Sequence, residues 1–164
     1  MDQNYKNKNL SEILDIKKIE AANGLPNECY TSKDYLVFER DKIFCDKWSV
    51  VGVGSSIPNP GDVKPYNLLG IPLILVRDID KGIRVFHNVC SHRGFKLLDK
   101  PCQLKNVIRC PYHSWSYDLK GNLIATPHIG GLNKHQSEKF VKSKSNLKEI
   151  KSEVWMDIIF VNIN

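Results

Sequence analysis

The sequence predicts a mainly β domain, a sandwich or a barrel, preceded by one or two short helices. From Trp48 onward, short segments rich in β-branched and aromatic residues recur along the chain, which is typical of strands. Turn-forming residues separate them at Pro58-Asn59-Pro60-Gly61, Asp80-Lys81-Gly82 and Lys120-Gly121-Asn122. Many short strands with regular turn signals imply an all-β sandwich or barrel.

Two helices are predicted ahead of the strands. Apolar residues in Ser11–Glu20 follow helical spacing, and Pro26 lies beyond the end of that helix. A second helix is expected from Ser32 to about Lys47, with Thr31 as its N-cap and Asp34 as the acidic third position. Its apolar contacts are expected from Tyr35, Phe38, Ile43 and Phe44.

The predicted strands cover eight segments, and a long loop is predicted near the end of the chain. In chain order the strands are residues 48–53, 63–68, 71–77, 83–87, 107–109, 116–118, 123–125 and 154–162. Residues 133–152 are rich in Lys and Ser, so we expect an exposed loop there.

The composition is that of an ordinary globular protein. The chain has 164 residues, of which 41% are hydrophobic and 26% are charged. This is enough for one domain with a core of its own, or for one core with a small appended lobe. No stretch reaches the apolar length of a membrane span, and residues 1–9 lack the apolar segment of a secretory signal. We therefore predict a cytoplasmic protein without membrane contact.

The net charge and the number of cysteines restrict what the protein can bind. Lys and Arg number 24 against 18 acidic residues, giving a net charge of +6, but no long basic run occurs. Nucleic-acid binding is disfavoured; the charge fits a solvated Lys-rich surface, or else a dock for an acidic redox partner. The five cysteines form an odd set without an export signal, which favours metal binding or burial over disulfides.

The most informative motif is a pair of short Cys–His loops. Cys90-Ser91-His92 has the pattern C-x-H, and Cys110-Pro111-Tyr112-His113 has the pattern C-x-x-H. Each loop offers one thiolate and one imidazole beside a predicted strand. Together the loops can place two sulfurs on one iron and two nitrogens on another, which is the Rieske arrangement of a [2Fe–2S] cluster.

A structural zinc site is the main alternative to the cluster. Zinc modules usually pair C-x₂₋₄-C with H-x₃₋₅-H, so that each short segment supplies like ligands. Here each loop supplies unlike ligands, which favours Cys90, His92, Cys110 and His113 as ligands of a Rieske cluster.

The residues around these loops carry a family resemblance. Residues 86–94 and 110–118 resemble the Rieske domain of the α subunits of ring-hydroxylating oxygenases, the Rieske non-haem iron oxygenases. The resemblance runs from about Asn27 to the last residue. It implies an N-terminal arm over residues 1–26 and a Rieske domain over 27–164, with a small cluster-binding lobe at about 86–128.

The resemblance also separates two branches of Rieske proteins. Respiratory Rieske proteins carry an extra Cys in each loop, and the pair forms a disulfide that braces the cluster. Phe95 and Tyr112 occupy these positions here. The Arg93-Gly94 pair and Trp115 follow the oxygenase pattern, so the resemblance implies that Arg93, Gly94, Tyr112 and Trp115 surround the ligands.

By the same resemblance, His113 faces the next redox centre. In the family, that centre is a mononuclear Fe(II) in a C-terminal catalytic domain, which would be absent from this chain. No Asp-x-x-His-x-x-x-x-His pattern occurs among the remaining histidines His87, His128 and His135, which we expect to be a structural residue and two solvent-side loop residues. We therefore do not expect this chain alone to catalyse oxygenation.

Two functions follow as hypotheses. The first is the electron-transfer domain of a Rieske oxygenase α subunit, which accepts electrons from a reductase or ferredoxin and passes them to a mononuclear iron centre. The second is a stand-alone Rieske ferredoxin. The predicted N-terminal helices and the end of the sequence directly after a strand favour the first.

Overall fold

The computed structural model describes residues 18–21, 23–135, 137 and 140–164. Their contacts divide the chain into two compact units. One runs up to Lys47 and includes Asn164, and the other runs from Trp48 to Ile163. Among the described residues, no helix is long and apolar enough to cross a membrane.

The first unit is helical. A 3₁₀ turn at Ile19–Ala21 precedes helix α1 (Glu28–Thr31) and helix α2 (Lys33–Glu39), and a π-helical turn at Arg40–Phe44 continues α2. Most of the helix predicted over residues 11–20 lies outside the described residues. The second predicted helix is present over 33–44 but is shorter than expected.

The N-cap prediction for this helix was wrong by one residue. Ser32 caps α2, because its Oγ accepts a hydrogen bond from the Tyr35 N–H at 3.2 Å. Thr31 instead ends α1, where its hydroxyl donates to the Asn27 carbonyl at 3.1 Å. Both are good capping residues, and Ser32 is the cap because Thr31 is still the last residue of α1.

The second unit contains a seven-stranded antiparallel sheet. Its strands are β1 (Ser49–Val53), β2 (Asp62–Leu68), β3 (Ile71–Arg77), β4 (Ile83–His87), β5 (Cys102–Gln103), β9 (Glu149–Trp155) and β10 (Ile158–Asn162). Their order is β1-β10-β9-β4-β3-β2-β5. The mainly β fold predicted from the sequence is confirmed, and β5 is a short strand that the sequence did not predict.

The single strand predicted over 154–162 is in fact the end of β9, a turn and the whole of β10, which together form a hairpin. β9 and β10 pair through a turn at Met156 and Asp157, with φ values of 48° and 66°. A two-residue turn with two positive φ values normally carries Asn or Gly. Met156 gives no such signal, so the turn could not be recognised from the sequence.

A second sheet of three strands forms a lobe on the larger one. It consists of β6 (Val107–Arg109), β7 (Ser116–Asp118) and β8 (Leu123–Ala125), in that order. The prediction of an exposed loop over 133–152 was wrong for the second half of that segment. Phe140 packs against the core, Leu147 and Ile150 are buried, and β9 begins at Glu149.

β3 separates two apolar cores, one on each of its faces. Leu73 and Leu75 point into one core, together with residues of β1, β4, β9 and β10. Ile74 and Val76 point to the other face, into a core shared with the three-stranded lobe. Because strand side chains alternate between faces, a strand buried on both sides has a continuous apolar sequence. This second core contains the candidate site.

Candidate metal centre

The first Cys–His loop follows β4 and is closed by its own backbone. The Cys90 N–H donates to the Phe95 carbonyl at 2.8 Å, and the Gly94 N–H donates to the Cys90 carbonyl at 3.0 Å. Gly94 has a φ of +69°, a left-handed conformation that glycine adopts without a Cβ penalty. The loop therefore returns on itself immediately after His92.

The second loop has the same closure. The Cys110 N–H donates to the Trp115 carbonyl at 2.8 Å, and the Ser114 N–H donates to the Cys110 carbonyl at 3.0 Å. Ser114 has a φ of +59° in the place that Gly94 takes in the first loop. The two loops are thus alike in backbone, although their imidazoles stand at different distances from the cysteine in sequence.

A buried asparagine supports the first loop. Asn88 is fully buried, its Nδ2 donates to the Leu98 carbonyl at 2.6 Å, and its Oδ1 accepts from the N–H groups of Leu97 and Leu98. Its backbone N–H donates to the Pro72 carbonyl at the start of β3. Asn88 therefore joins the two ends of the loop segment to each other and attaches the first end to the large sheet.

The two thiols lie together at the bottom of the site. Cys90 is 1% exposed and Cys110 is 2% exposed. Burial raises the pKa of the Cys90 thiol and the neighbouring Cys110 thiol adds to the rise, whereas the Tyr117 hydroxyl and the His92 backbone oppose it. Such thiols lose their protons when a metal binds.

The two imidazoles lie beside each other in an edge-on arrangement. The ring centroids of His92 and His113 are 4.9 Å apart, with an interplanar angle of 67°. Trp115 stacks on His92 at 4.5 Å and 9°, and the Tyr112 ring lies 3.7 Å from that of His113. Burial lowers the pKa of His92, as do the nearby His113 and Arg93, so the neutral imidazole is favoured.

The donor set fits a metal–sulfur group. The Nδ1 atom of His113 is buried and has no hydrogen-bond partner. A buried polar atom without a partner costs free energy, and a metal ion that accepts its lone pair would remove that cost. Neutral imidazoles and ionisable thiols are also the donors that a Rieske cluster requires.

An open depression gives access to the imidazoles. It has a volume of about 640 Å³. Its lining includes both imidazoles, Arg93 and Arg109, and within the described residues that line it there is no carboxylate. Tyr112 also lines it, and its exposed ring lies 5.3 Å from the exposed ring of Phe95. These two aromatic residues join the tips of the loops by apolar contact.

The remaining cysteines stand apart from this cluster of donors. All five cysteines are free thiols. Cys102 is exposed on β5, Cys29 is partly buried in α1, and Cys45 is buried at the end of the π-helical turn.

The remaining histidines also lie outside the donor set. His87 ends β4, and burial and the nearby Lys148 lower its pKa. His128 and His135 are exposed, as expected. Their Nδ1 atoms accept backbone hydrogen bonds from Asn133 and His128, respectively, so they have a structural role in their loop.

Three residues near the site were not singled out by the sequence analysis: Asn88, Ser91 and Tyr117. Tyr117 is fully buried in β7, and its hydroxyl lies 3.2 Å from the Cys90 Sγ and 2.8 Å from the Ser91 Oγ. Alternation along β7 could have indicated that Tyr117 points inward. Its contact with a residue 27 positions away could not be inferred.

Comparison with known proteins identifies the class. The model of the Rieske [2Fe-2S] domain matches residues 47–136, more than half of the chain. The chain is 34% identical over 139 residues to the carnitine monooxygenase oxygenase subunit of Acinetobacter pittii (strain PHEA-2), covering 85% of this chain and 36% of the relative. It is 30% identical over 164 residues to the benzene 1,2-dioxygenase subunit alpha of Pseudomonas putida, covering 98% and 34%, respectively.

Solved structures of Rieske oxygenases are also similar to this chain. The apo form of the quaternary ammonium Rieske monooxygenase CntA superposes with a TM-score of 0.77 at 33% identity, over 87% of this chain and 40% of that one. Naphthalene 1,2-dioxygenase from Rhodococcus sp. bound to indole gives 0.76 at 26% identity, over 85% and 31%.

The β fold with paired Cys–His loops is that of an iron–sulfur protein domain. This chain belongs to the Rieske [2Fe-2S] domain family, and its relatives are the oxygenase subunits of Rieske oxygenases. It spans little more than a third of the length of the carnitine monooxygenase oxygenase subunits that it matches.

The matched left-handed positions of the two loops lead to a prediction about stability. Gly94→Ala should lower the free energy of unfolding by about 1–2 kcal/mol, because a Cβ disfavours a φ of +69°. No atom lies within 4 Å of that Cβ position, so the cost is conformational rather than steric. Ser114→Gly is the matched control and should leave stability equal or higher. Urea unfolding followed by circular dichroism measures both, and a Gly94→Ala variant as stable as the parent would contradict the prediction.

Proposed function

We propose that this chain is a Rieske electron-transfer domain, with a [2Fe–2S] cluster held by Cys90, His92, Cys110 and His113. The observation that carries the proposal is the convergence of two alike loops, each with one buried thiol and one imidazole. When bound, the cluster supplies a one-electron redox couple.

The charges of the four donors suit this role. Two thiolates and two sulfides balance two ferric ions when both imidazoles are neutral, so the oxidised site carries no formal charge. An all-thiolate site would be more negative and harder to reduce, which is why two histidines raise the potential of Rieske centres. The lowered pKa of His92 is consistent with a neutral ligand.

The surrounding residues keep the donors in place and exclude water. Cys90 and Cys110 lie in the apolar core of the lobe, where solvent does not reach the sulfur atoms. Trp115, which is 3% exposed, fixes the ring plane of His92 by stacking. On the outer side, the depression between the loops gives partners access to the imidazoles.

A structural zinc ion is less compatible with this arrangement. Structural zinc needs four protein donors that converge on one point. In the described part of the chain, no group of three or more His, Cys, Asp or Glu side chains is arranged to hold one metal ion. A two-iron cluster takes only two protein ligands per iron and does not require such a group.

We further propose that the chain accepts electrons from a reductase or ferredoxin and passes them to a mononuclear iron oxygenase centre. The similarity to oxygenase subunits supports this route. Matching relatives are much longer than this chain, so the acceptor iron would lie in a domain that this sequence does not include. The alternative is a stand-alone Rieske ferredoxin. The helices α1 and α2 ahead of the β unit favour the oxygenase reading.

Removal of one thiol ligand tests the cluster. Cys110→Ser should lose the cluster, because serine does not replace a thiolate on iron, whereas Cys102→Ser should retain it. Iron and acid-labile sulfide content, visible absorption and the EPR signal of the reduced protein measure the outcome. A colourless parent protein with stoichiometric zinc and no iron would contradict the proposal.

Replacement of one imidazole tests the ligand set in a second way. His113→Cys should lower the reduction potential, because a thiolate adds negative charge to the iron site. His128→Cys is the matched control, since His128 lines the same depression but is not a proposed ligand. The measurement is a redox titration followed by EPR. If the His113→Cys potential equals that of the parent, His113 is not a ligand.

The reading frame after Asn164 distinguishes the two routes for the electron. We expect it to continue into a domain with two histidines and one carboxylate arranged for mononuclear iron. Sequencing of the full reading frame is the measurement. A stop codon directly after Asn164 would contradict the oxygenase reading and favour the ferredoxin.

A further inference from the structure

A chain of hydroxyl groups lies beside the sulfur of Cys90. The Ser91 Oγ donates to the Ser145 carbonyl at 2.5 Å and contacts the Tyr117 hydroxyl at 2.8 Å. The Tyr117 hydroxyl in turn lies 3.2 Å from the Cys90 Sγ, and it accepts a hydrogen bond from the Ser91 N–H at 3.2 Å.

The proton positions in this group of hydroxyls follow from its contacts. There are two short oxygen–oxygen contacts, Ser91 to Ser145 and Ser91 to Tyr117, and only two hydroxyl protons to fill them. The Ser145 carbonyl can only accept, so the Ser91 proton must go to it. The Tyr117 proton is then required between Tyr117 and Ser91, because two oxygens at 2.8 Å without a proton repel each other.

No hydroxyl proton is left for Cys90. The Cys90–Tyr117 contact can be a hydrogen bond only while the thiol carries its own proton. As a cluster ligand, Cys90 is a thiolate without that proton. The 3.2 Å contact would then not be a hydrogen bond to sulfur, although its length alone suggests one.

The Ser145 carbonyl is held in position by the segment around it. Ser145 ends the 3₁₀ turn Lys142–Ser145. The next residue, Asn146, accepts from the Leu123 N–H through its Oδ1 at 2.9 Å, and the Leu147 N–H donates to the Gly121 carbonyl at 2.8 Å. Leu147 is itself buried in the core of the lobe. These contacts fix the acceptor that takes the Ser91 proton.

On the basis of the proposed function, we propose that Ser91 is a positioning residue that keeps the Tyr117 proton away from the Cys90 sulfur and thereby lowers the reduction potential of the cluster. Hydrogen bonds to cluster sulfurs raise the potential, because they stabilise the more negative reduced form. Among the residues that the structure describes, the Cys90 Sγ is then the acceptor that remains in contact with the Tyr117 hydroxyl when the Ser91 oxygen is removed.

Three variants of the cluster-loaded chain test this inference by redox titration. Ser91→Ala should raise the equilibrium constant for one-electron reduction about tenfold, a shift of about 59 mV for one electron. Tyr117→Phe should change the potential much less, because the parent has no Tyr117 hydrogen bond to lose. In the double variant, the effect of Ser91→Ala should disappear, since it acts only through the Tyr117 proton. Ser91→Thr, which keeps the hydroxyl, should restore the parent potential.

Two results of the redox titrations would overturn the inference. An unchanged or lower potential for Ser91→Ala with an intact Rieske spectrum would overturn it. So would a Tyr117→Phe variant whose equilibrium constant for one-electron reduction is about tenfold lower than that of the parent. If Ser91→Ala does not fold, pulsed EPR of the reduced parent and of Tyr117→Phe in H₂O and D₂O still decides. Loss of only a weak exchangeable-proton coupling in Tyr117→Phe supports the inference, because the Tyr117 proton then points away from the sulfur, and loss of a strong coupling overturns it. A parent chain without iron and sulfide would overturn the proposed function as well.

Discussion

The site depends on the way in which each Cys–His loop is closed by the backbone of its own cysteine. The N–H groups of Cys90 and Cys110 donate across the loop, and a left-handed residue, Gly94 or Ser114, turns each chain back. This closure fixes the direction of the thiol before any metal binds. Because both loops use the same bonds, the sulfur atoms can lie side by side although the loops are far apart in sequence. Pre-positioned ligands reduce the ordering that metal binding requires.

The loops hold this geometry because they are attached to a two-sided sheet. β3 is buried on both faces, with Leu73 and Leu75 in one core and Ile74 and Val76 in the other. The second core includes both cysteines and Trp115, so the packing of the large sheet also determines the position of the thiols. Dense packing transmits small displacements. Substitutions in β3 therefore affect the position of the thiols, even though no residue of β3 is a proposed ligand.

Buried polar groups connect the site to distant parts of the chain. Asn88 joins the first loop to residues 97–98 and to the start of β3, while Tyr117 and Ser91 join Cys90 to the segment before β9. In a low-dielectric interior each such bond is strong, and an unfilled partner is costly. This is why the number of protons, and not the distance alone, decides which atom receives a hydrogen bond beside the Cys90 sulfur.

The sequence by itself determined the β class, most strand positions and the four candidate donors. These depend on local signals: turn residues, alternating apolar segments and the short spacings C-x-H and C-x-x-H. Only the tertiary structure decided features that rest on contacts between distant residues. It replaced the predicted 154–162 strand by a hairpin, because Met156 and Asp157 take positive φ values without a glycine. It also brought Tyr117 and Ser145 to Ser91. Local spacing specifies which residues can bind iron, but only the folded chain specifies which protons lie beside them.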